Sequence, residues 1–458
     1  MDELKKFKGK KFHFIGIGGI SMSALAQFLK RDGFYVQGSD EQFNDEIKKL
    51  AKKKIRVFVG HSEDNVLCAD VVVYSSAIHE DNVELKYARE NGLVILKRAE
   101  LLGMIASRYK TIIAISGSHG KTTATAMISE IFLKCGLKPT VHIGGKLKSI
   151  KSNYKVGNKK FFITENCEYM DNFLFVKPDI SVILNIDSDH LDYFKNLEGV
   201  KKSFYKYACQ TNDGGINLVC DEDINSNSIA ILENSATFGF DAKCDIFAKN
   251  IIEYKAGYYS FDVIFEKCYL GNIKLNIFGK HNVFNALASI FVALICGIDF
   301  CDVKDCIENF DGVERRSDKI GEINGAEVYH DYAHHPAQIK KMVLVAKELA
   351  EKRNGKVIVI FEPHTFSRTK FLLEDFAKSF ELCNYVLFAP VYSAREDKSA
   401  GVDSKELAIQ TKKYVQNVAV FDNVTDIIAQ VKSIAKTGDE IFVLGAGNID
   451  KLAKRLVK

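Results

Sequence analysis

Residues Ala114 to Thr125 read AISGSHGKTTAT, an apolar strand running into glycines and then into a helix that opens Lys-Thr-Thr. Backbone N–H groups in such a turn, together with the N-terminus of the helix, converge on one point and make an anion site. The common phosphate loop places four residues between its first glycine and Gly-Lys-Ser/Thr. Here Ile115 stands at that spacing from Gly120, and Gly117 comes only three positions before Gly120, so the loop is a shortened one. Lys121 supplies a point charge for the outer phosphates of a nucleotide, and the Thr122 hydroxyl offers a magnesium ligand.

Other chemistry-bearing residues stand at expected strand ends. Glu165 ends the run FFITE, and NIDSDHLDYF follows ISVIL, which directs Glu165, Asp187, Asp189, His190 and Asp192 toward one edge of a sheet. Ligands of doubly wound sheets bind beyond the carboxyl ends of the strands. Carboxylates there suit magnesium, and a neutral imidazole suits a second ion. An earlier loop, GIGGIS at Gly16 to Ser21 with Asp40 further on, nearly matches the dinucleotide fingerprint, with Ser21 where the third glycine belongs. It reads as a pyrophosphate cradle for a nicotinamide cofactor or a nucleotide sugar. Asp331, His334 and His335 in VYHDYAHHPAQ, then His364 and Arg368 in FEPHTFSRTK, follow successive strands and predict a basic pocket for a polyanion or a carboxylate. Asn282 and Asn285 share a helix face, where they either hydrogen-bond a base or cap the helix.

Positioning these groups takes several α/β layers. At 458 residues the chain is long for one core and fits roughly three domains at about 150 residues each. Strand-like FHFIGIGG, FYVQGSD and DVVVYSSAI alternate with helical patterns, the signature of a parallel sheet covered on both faces. A second cycle opens at TIIAISGS, and its helix places Met127, Ile128, Ile131 and Phe132 on one face before Gly136 stops it. Asn217 to Phe278 reads as an antiparallel patch, after which HNVFNALASIFVALICG is an apolar helix. Alternation returns with KVIVIFEP, NYVLFAPV, VAVFD and DEIFVLGAG. The expected domains are 1–107, 108–313 and 314–458, with a hinge near Arg316.

With 63 basic and 59 acidic residues, a net charge of +4 is too balanced for a dedicated nucleic-acid binder. No apolar run approaches the roughly 20 residues of a membrane span, and the N-terminus lacks the apolar middle of a signal peptide, so a cytoplasmic protein without membrane insertion is expected. The 11 cysteines form no CxxC pairs, which indicates neither a disulfide framework nor a zinc ribbon.

In their order along the chain, FHFIGIGGISMSALA, GSHGKTTAT, ENCEYMDNFL, NIDSDHLDYF, HNVFNALA, VERRSD, DYAHHP and EPHTFSRT resemble the Mur ligases, ATP-dependent amide-forming enzymes of peptidoglycan synthesis. The resemblance implies three domains: Rossmann-like for a UDP-sugar, a central P-loop-type ATPase with a mostly parallel sheet and a small antiparallel patch, and Rossmann-like for an amino acid. It also accounts for the short phosphate loop, here with Ser118 where Thr is commoner. The opening loop, DYAHHP and EPHTFSRT are most similar to the member that joins L-alanine to the lactyl carboxylate of UDP-N-acetylmuramate through an acyl phosphate.

The resemblance implies ATP with two magnesium ions. Gly117, Ser118, His119, Gly120, Lys121, Thr122, Thr123, Asn282, Asn285, Arg316 and Asp331 would bind ATP. Thr122, Glu165 and His190 would hold metal. Gly16, Gly18, Gly19 and Ser21 would meet the UDP pyrophosphate, and His335 and Arg368 the amino acid, with Lys121, Glu165, His190, His334 and Arg368 at the chemistry. Asn166 stands where a small residue is common and His330 where an acid is common. A Mur-type ligase for another amino acid or a peptide is the nearest alternative. A nicotinamide dehydrogenase leaves Lys121 and Thr122 unemployed, and a nucleotide switch needs no carboxylate acceptor. Monomer and homodimer both stay open.

Overall fold

The computed structural model describes residues 3–393, 396 and 401–457. Short runs rich in β-branched and aromatic residues form three sheets. The first is all parallel: β1 (Lys11–Ile15), β2 (Tyr35–Asp40), β3 (Arg56–Val59), β4 (Val71–Tyr74) and β5 (Val94–Lys97), in the order β3-β2-β1-β4-β5. Strand order reverses between β1 and β4, and a crevice opens at such a reversal beyond the strand ends. The loop from Gly16 leaves β1 there and enters the helix Ile20–Arg31, whose N-cap is Gly19.

The second sheet holds β6 (Thr111–Ser116), β7 (Thr140–Leu147), β8 (Ser152–Lys155), β9 (Phe161–Glu165), β10 (Ile180–Ile183), β11 (Ile216–Cys220), β12 (Ser235–Gly239), β13 (Ile246–Lys255), β14 (Tyr258–Phe265) and β15 (Cys268–Lys274). Their order is β15-β14-β13-β12-β11-β10-β6-β9-β7-β8. β6 therefore lies between β9 and β10, parallel to both. The helix Lys121–Lys134 buries the expected face of Met127, Ile128, Ile131 and Phe132. The antiparallel patch is smaller than the range Asn217 to Phe278 expected from sequence. β11 and β12 continue the parallel sheet, and β14 and β15 form the antiparallel ladder. The Gly and Asn that suggested hairpins belong instead to the longer connections that parallel neighbours require.

The third sheet contains β16 (Asp318–Ile323), β17 (Ala326–Asp331), β18 (Val357–Phe361), β19 (Tyr385–Phe388), β20 (Asn417–Val420) and β21 (Glu440–Leu444), in the order β16-β17-β21-β18-β19-β20. All pairs are parallel except the β16–β17 hairpin.

By contact density the chain forms two compact units. One takes residues up to 251, 260–276 and 281–311; the other takes 252–259, 277–280 and 312 onward. The first and second sheets share the first unit because one apolar core serves both. Phe12, Phe14 and Leu25 pack in the same cluster as Ile112, Ala114, Phe162 and Val176. Among the described residues no helix is long and apolar enough to cross a membrane.

Candidate active site

The order β10-β6-β9 places the loops after three strands side by side, and those loops carry the expected chemistry. Gly120 caps the helix Lys121–Lys134 in the left-handed region, φ +84°, and a Cβ there would lie 2.7 Å from Asn285 Oδ1. Only glycine meets both conditions without strain. Asn285 and Asn282 are buried, and Asn285 Nδ2 donates to Asn282 Oδ1 at 2.8 Å, so the pair spends one bond on itself and faces the phosphate loop. The loop is tied to the end of β10: His119 N donates to Asn185 Oδ1 at 2.8 Å, Asp187 N donates to Ser118 Oγ at 2.8 Å, and His119 Nε2 lies 3.1 Å from Asp187 Oδ2.

Lys121 Nζ pairs with Glu168, at 2.9 Å from Oε2 and 3.1 Å from Oε1, and also donates to the carbonyls of Gly117 and Ser118. Burial alone would lower the lysine's pKa, but the neighbouring Glu168 carboxylate outweighs it and raises it above the ordinary value. One ligand atom each from Glu168, Asp189 and His190 lies within 4.8 Å of the other two. His190 sits in the left-handed region, φ +55°, with its ring 4.6 Å from that of Tyr169. Two carboxylates and an imidazole fit a small hard divalent cation.

Of the expected metal set, His190 joins this cluster. Glu165 instead accepts from Gly144 N on β7 at 2.8 Å, and Thr122 is buried in the first helical turn beside Thr123. The Asp192 side chain lies outside the described residues. Glu168, missed in the sequence, carried a readable signal: an acid three residues beyond Glu165, just past the same strand.

At the first glycine loop, Gly18 N donates to Asp40 Oδ2 at 2.8 Å, and a Cβ on Gly18 would lie 2.6 Å from Asn44 Nδ2. Asp40 thus holds the loop in shape. Gly16 has φ +79°, Gly19 N donates to Gly16 O, and Ser21 Oγ meets His142 Nε2 at 2.9 Å and Arg98 Nη1 at 3.3 Å. Neither Arg98 nor His142 was anticipated, since each stands outside any glycine or acid pattern.

In the second unit, β21 lies between β17 and β18, so the loops after those strands come near one another. The rings of His334 and His364 are 5.8 Å apart, and Arg368 Nη1 donates to His364 Nδ1 at 3.4 Å. Burial, reinforced by the Arg368 charge, holds His334 down to about 3 and His364 to about 4, so both are neutral imidazoles at pH 7. Asp331 accepts from Ser317 N and Ala333 N, each at 2.7 Å; burial raises its pKa against the pull of Arg316. Arg316 lies over the Tyr332 ring at 4.9 Å. His335 is the N-cap of the helix Pro336–Lys352, accepting from Ala337 N at 3.4 Å. His330 is buried in β17.

The chain matches three family models: "Mur ligase family, catalytic domain" over residues 11–110, "Mur ligase middle domain" over 115–293, and "Mur ligase, glutamate ligase domain" over 315–447. It is 42% identical over 458 residues to a UDP-N-acetylmuramate–L-alanine ligase of Caldanaerobacter subterraneus subsp. tengcongensis, covering 100% of this chain and 98% of that one. It is 44% identical over 444 residues to the enzyme of the same name from Caldicellulosiruptor saccharolyticus, covering 96% and 97%. Among solved structures, UDP-N-acetylmuramate-alanine ligase from Thermotoga maritima superposes with a TM-score of 0.82 at 28% identity, covering 98% of each chain. With its phosphate loop set between two acid-bearing strand ends and its length matched by all three models, the chain belongs to the Mur ligase family.

Proposed function

We propose that the protein is an ATP-dependent carboxylate–amine ligase that joins L-alanine to the lactyl carboxylate of UDP-N-acetylmuramate in peptidoglycan synthesis. The observation that carries this reading is the phosphate-loop lysine, Lys121, held by Glu168 beside Asp189 and His190 on neighbouring strand ends. The names of relatives about 42% identical over the whole chain supply the substrates. In this reading residues 1–107 hold the UDP-sugar, 108–313 the ATP, and 314–458 the amino acid.

The lactyl carboxylate oxygen attacks the γ-phosphorus of ATP, the bond to the bridging oxygen breaks, and ADP leaves. The amine of L-alanine then attacks the acyl-phosphate carbonyl, loses a proton and expels phosphate. No protein nucleophile is needed, so the chain's work is positioning and charge neutralisation. Residues Gly117 to Thr123 cradle the phosphates at the start of the helix Lys121–Lys134, and Lys121 exchanges Glu168 for the outer phosphates. Glu168, Asp189 and His190 would hold magnesium, which when bound neutralises phosphate charge. Asn282 and Asn285 lie on the adenine side, with Arg316 and Asp331 as further nucleotide contacts. Arg368 and His335 bind the amino acid. His334 faces the phosphate or the amino acid as a neutral imidazole, with the ring of His364 beside it.

Phosphate release with ATP, magnesium and UDP-N-acetylmuramate tests the reading, each amino acid being added in turn. L-Alanine is expected to stimulate turnover. Stimulation by a peptide or L-glutamate alone would make this another Mur-type ligase.

A further inference from the structure

Ser21 begins a directed hydrogen-bond chain that runs from the first glycine loop to the phosphate-loop side of the same unit. Arg98 has only donors, so its Nη1 donates to Ser21 Oγ (3.3 Å). Ser21 then gives its hydroxyl proton to His142 Nε2 (2.9 Å), and His142 Nδ1–H donates to Thr164 Oγ1 (3.1 Å). Thr164 in turn donates to the carbonyl of Glu165 (3.0 Å), at the end of β9 and three residues before Glu168. The directions agree only if the imidazole is neutral, and burial, together with the charge of Arg98, holds His142 down to about 3.

This chain fixes a guanidinium that lacks a counterion. Among the described residues no carboxylate pairs with Arg98; its one hydrogen bond is to Ser21, and burial lowers its pKa below the ordinary arginine value. The Glu165 carboxylate acts on both Arg98 and Lys121, and the backbone of Glu165 ends the hydrogen-bond chain that begins at Arg98, so that chain links the first glycine loop to the phosphate-loop side. Arg98 is half-buried, and an anion supplied by a ligand would give its guanidinium the charged partner that the protein does not.

We infer that Arg98 binds the carboxylate of the sugar nucleotide and holds it between the two glycine loops, in reach of the nucleotide's outer phosphate. The inference rests on the function proposed above. The diphosphate of the same ligand is the other anion at hand, but the N–H groups that open the helix Ile20–Arg31 are the site suited to it, since those of Gly16 to Gly19 are already bonded within the protein.

The test compares Arg98→Gln and Arg98→Lys with wild type by calorimetric titration of UDP-N-acetylmuramate and of UDP-N-acetylglucosamine, which lacks the carboxylate-bearing arm. Arg98→Gln is expected to weaken UDP-N-acetylmuramate at least about tenfold while UDP-N-acetylglucosamine stays within about twofold. Retained binding of the second ligand also shows that the variant is folded. Arg98→Lys, which keeps a charge, is expected to recover part of the loss and of kcat in phosphate release. Equal loss for both ligands would assign Arg98 to the diphosphate and overturn the inference, as would no loss for either. A wild-type chain that binds UDP-N-acetylmuramate without turning over ATP would sink the ligase reading while the carboxylate contact stood.

Discussion

At the scale of single residues, the decisive pair is Lys121 and Glu168. The carboxylate compensates a buried lysine, and in the proposed reaction it is released to a cation when phosphate takes its place, so one contact would serve both states. Lys121→Ala is expected to lower phosphate release by about a hundredfold or more, the scale of losing one charge-stabilising donor, with the circular dichroism spectrum retained. Glu168→Gln should bring a similar loss and raise the magnesium concentration needed for half-maximal rate. Glu165→Gln, which gives up a bond to Gly144 N, is expected to stay within about tenfold and leave the magnesium requirement where it was. The opposite ranking would return the metal to Glu165. Sequence reasoning singled out Glu165 at the end of β9 and passed over Glu168 three residues on; the choice between them depends on how the chain turns after β9, where Met170 and Asp171 adopt positive φ values of 54° and 56°. No local spacing rule predicts that turn.

At the scale of elements, the phosphate loop works because a glycine ends it. Gly120→Ala adds about 1–2 kcal/mol of left-handed backbone strain and drives a Cβ toward Asn285, so ATP affinity and urea stability should fall together. Unchanged nucleotide binding would mean that the loop tolerates another shape. Such strand–glycine–helix junctions were legible in advance, as were the parallel sheets, because apolar runs and glycines are local signals. Strand order was not legible. That β6 lies between β9 and β10, and β21 between β17 and β18, is set by long-range pairing, and this order brings His190 to Lys121 and His334 to His364. Strand β17 also carries a pH dependence. Burial, with Arg315 adding to it, holds His330 down to about 3, and its Nε2 has no hydrogen-bond partner. The unfolded chain takes up this proton near pH 6.5 and the folded one does not, so stability present above about 6.5 is lost as pH falls toward 3. Each such histidine contributes a slope of up to about 1.4 kcal/mol per pH unit within that window. His330→Phe is expected to flatten the decline between pH 6.5 and 4.5 in urea titrations; an identical slope would show that the folded ring already takes the proton.

At the scale of the whole molecule, the two compact units are not two successive stretches of chain. Residues 252–259 and 277–280 belong with the C-terminal unit, although the segments on either side of them belong to the other. The physical reason is Phe278, which is 2% exposed and packs in one cluster with Tyr329 at 5.2 Å and Phe442 at 6.4 Å between ring centroids. A short apolar loop between a strand and a helix has no partner nearby in sequence, so reading along the chain assigned it to the middle domain. Phe278→Ala removes a ring from that core, a change that typically costs about 3–5 kcal/mol. Because the units have separate cores in the third sheet and in the shared first and second sheets, unfolding need not be a single transition. The substitution is therefore expected to lower the urea midpoint of one transition while ATP titration at low urea matches wild type. If instead nucleotide affinity fell with the folded baseline intact, residues 277–280 would be acting on the phosphate-loop unit, and the placement of Phe278 in the second core would not describe its role.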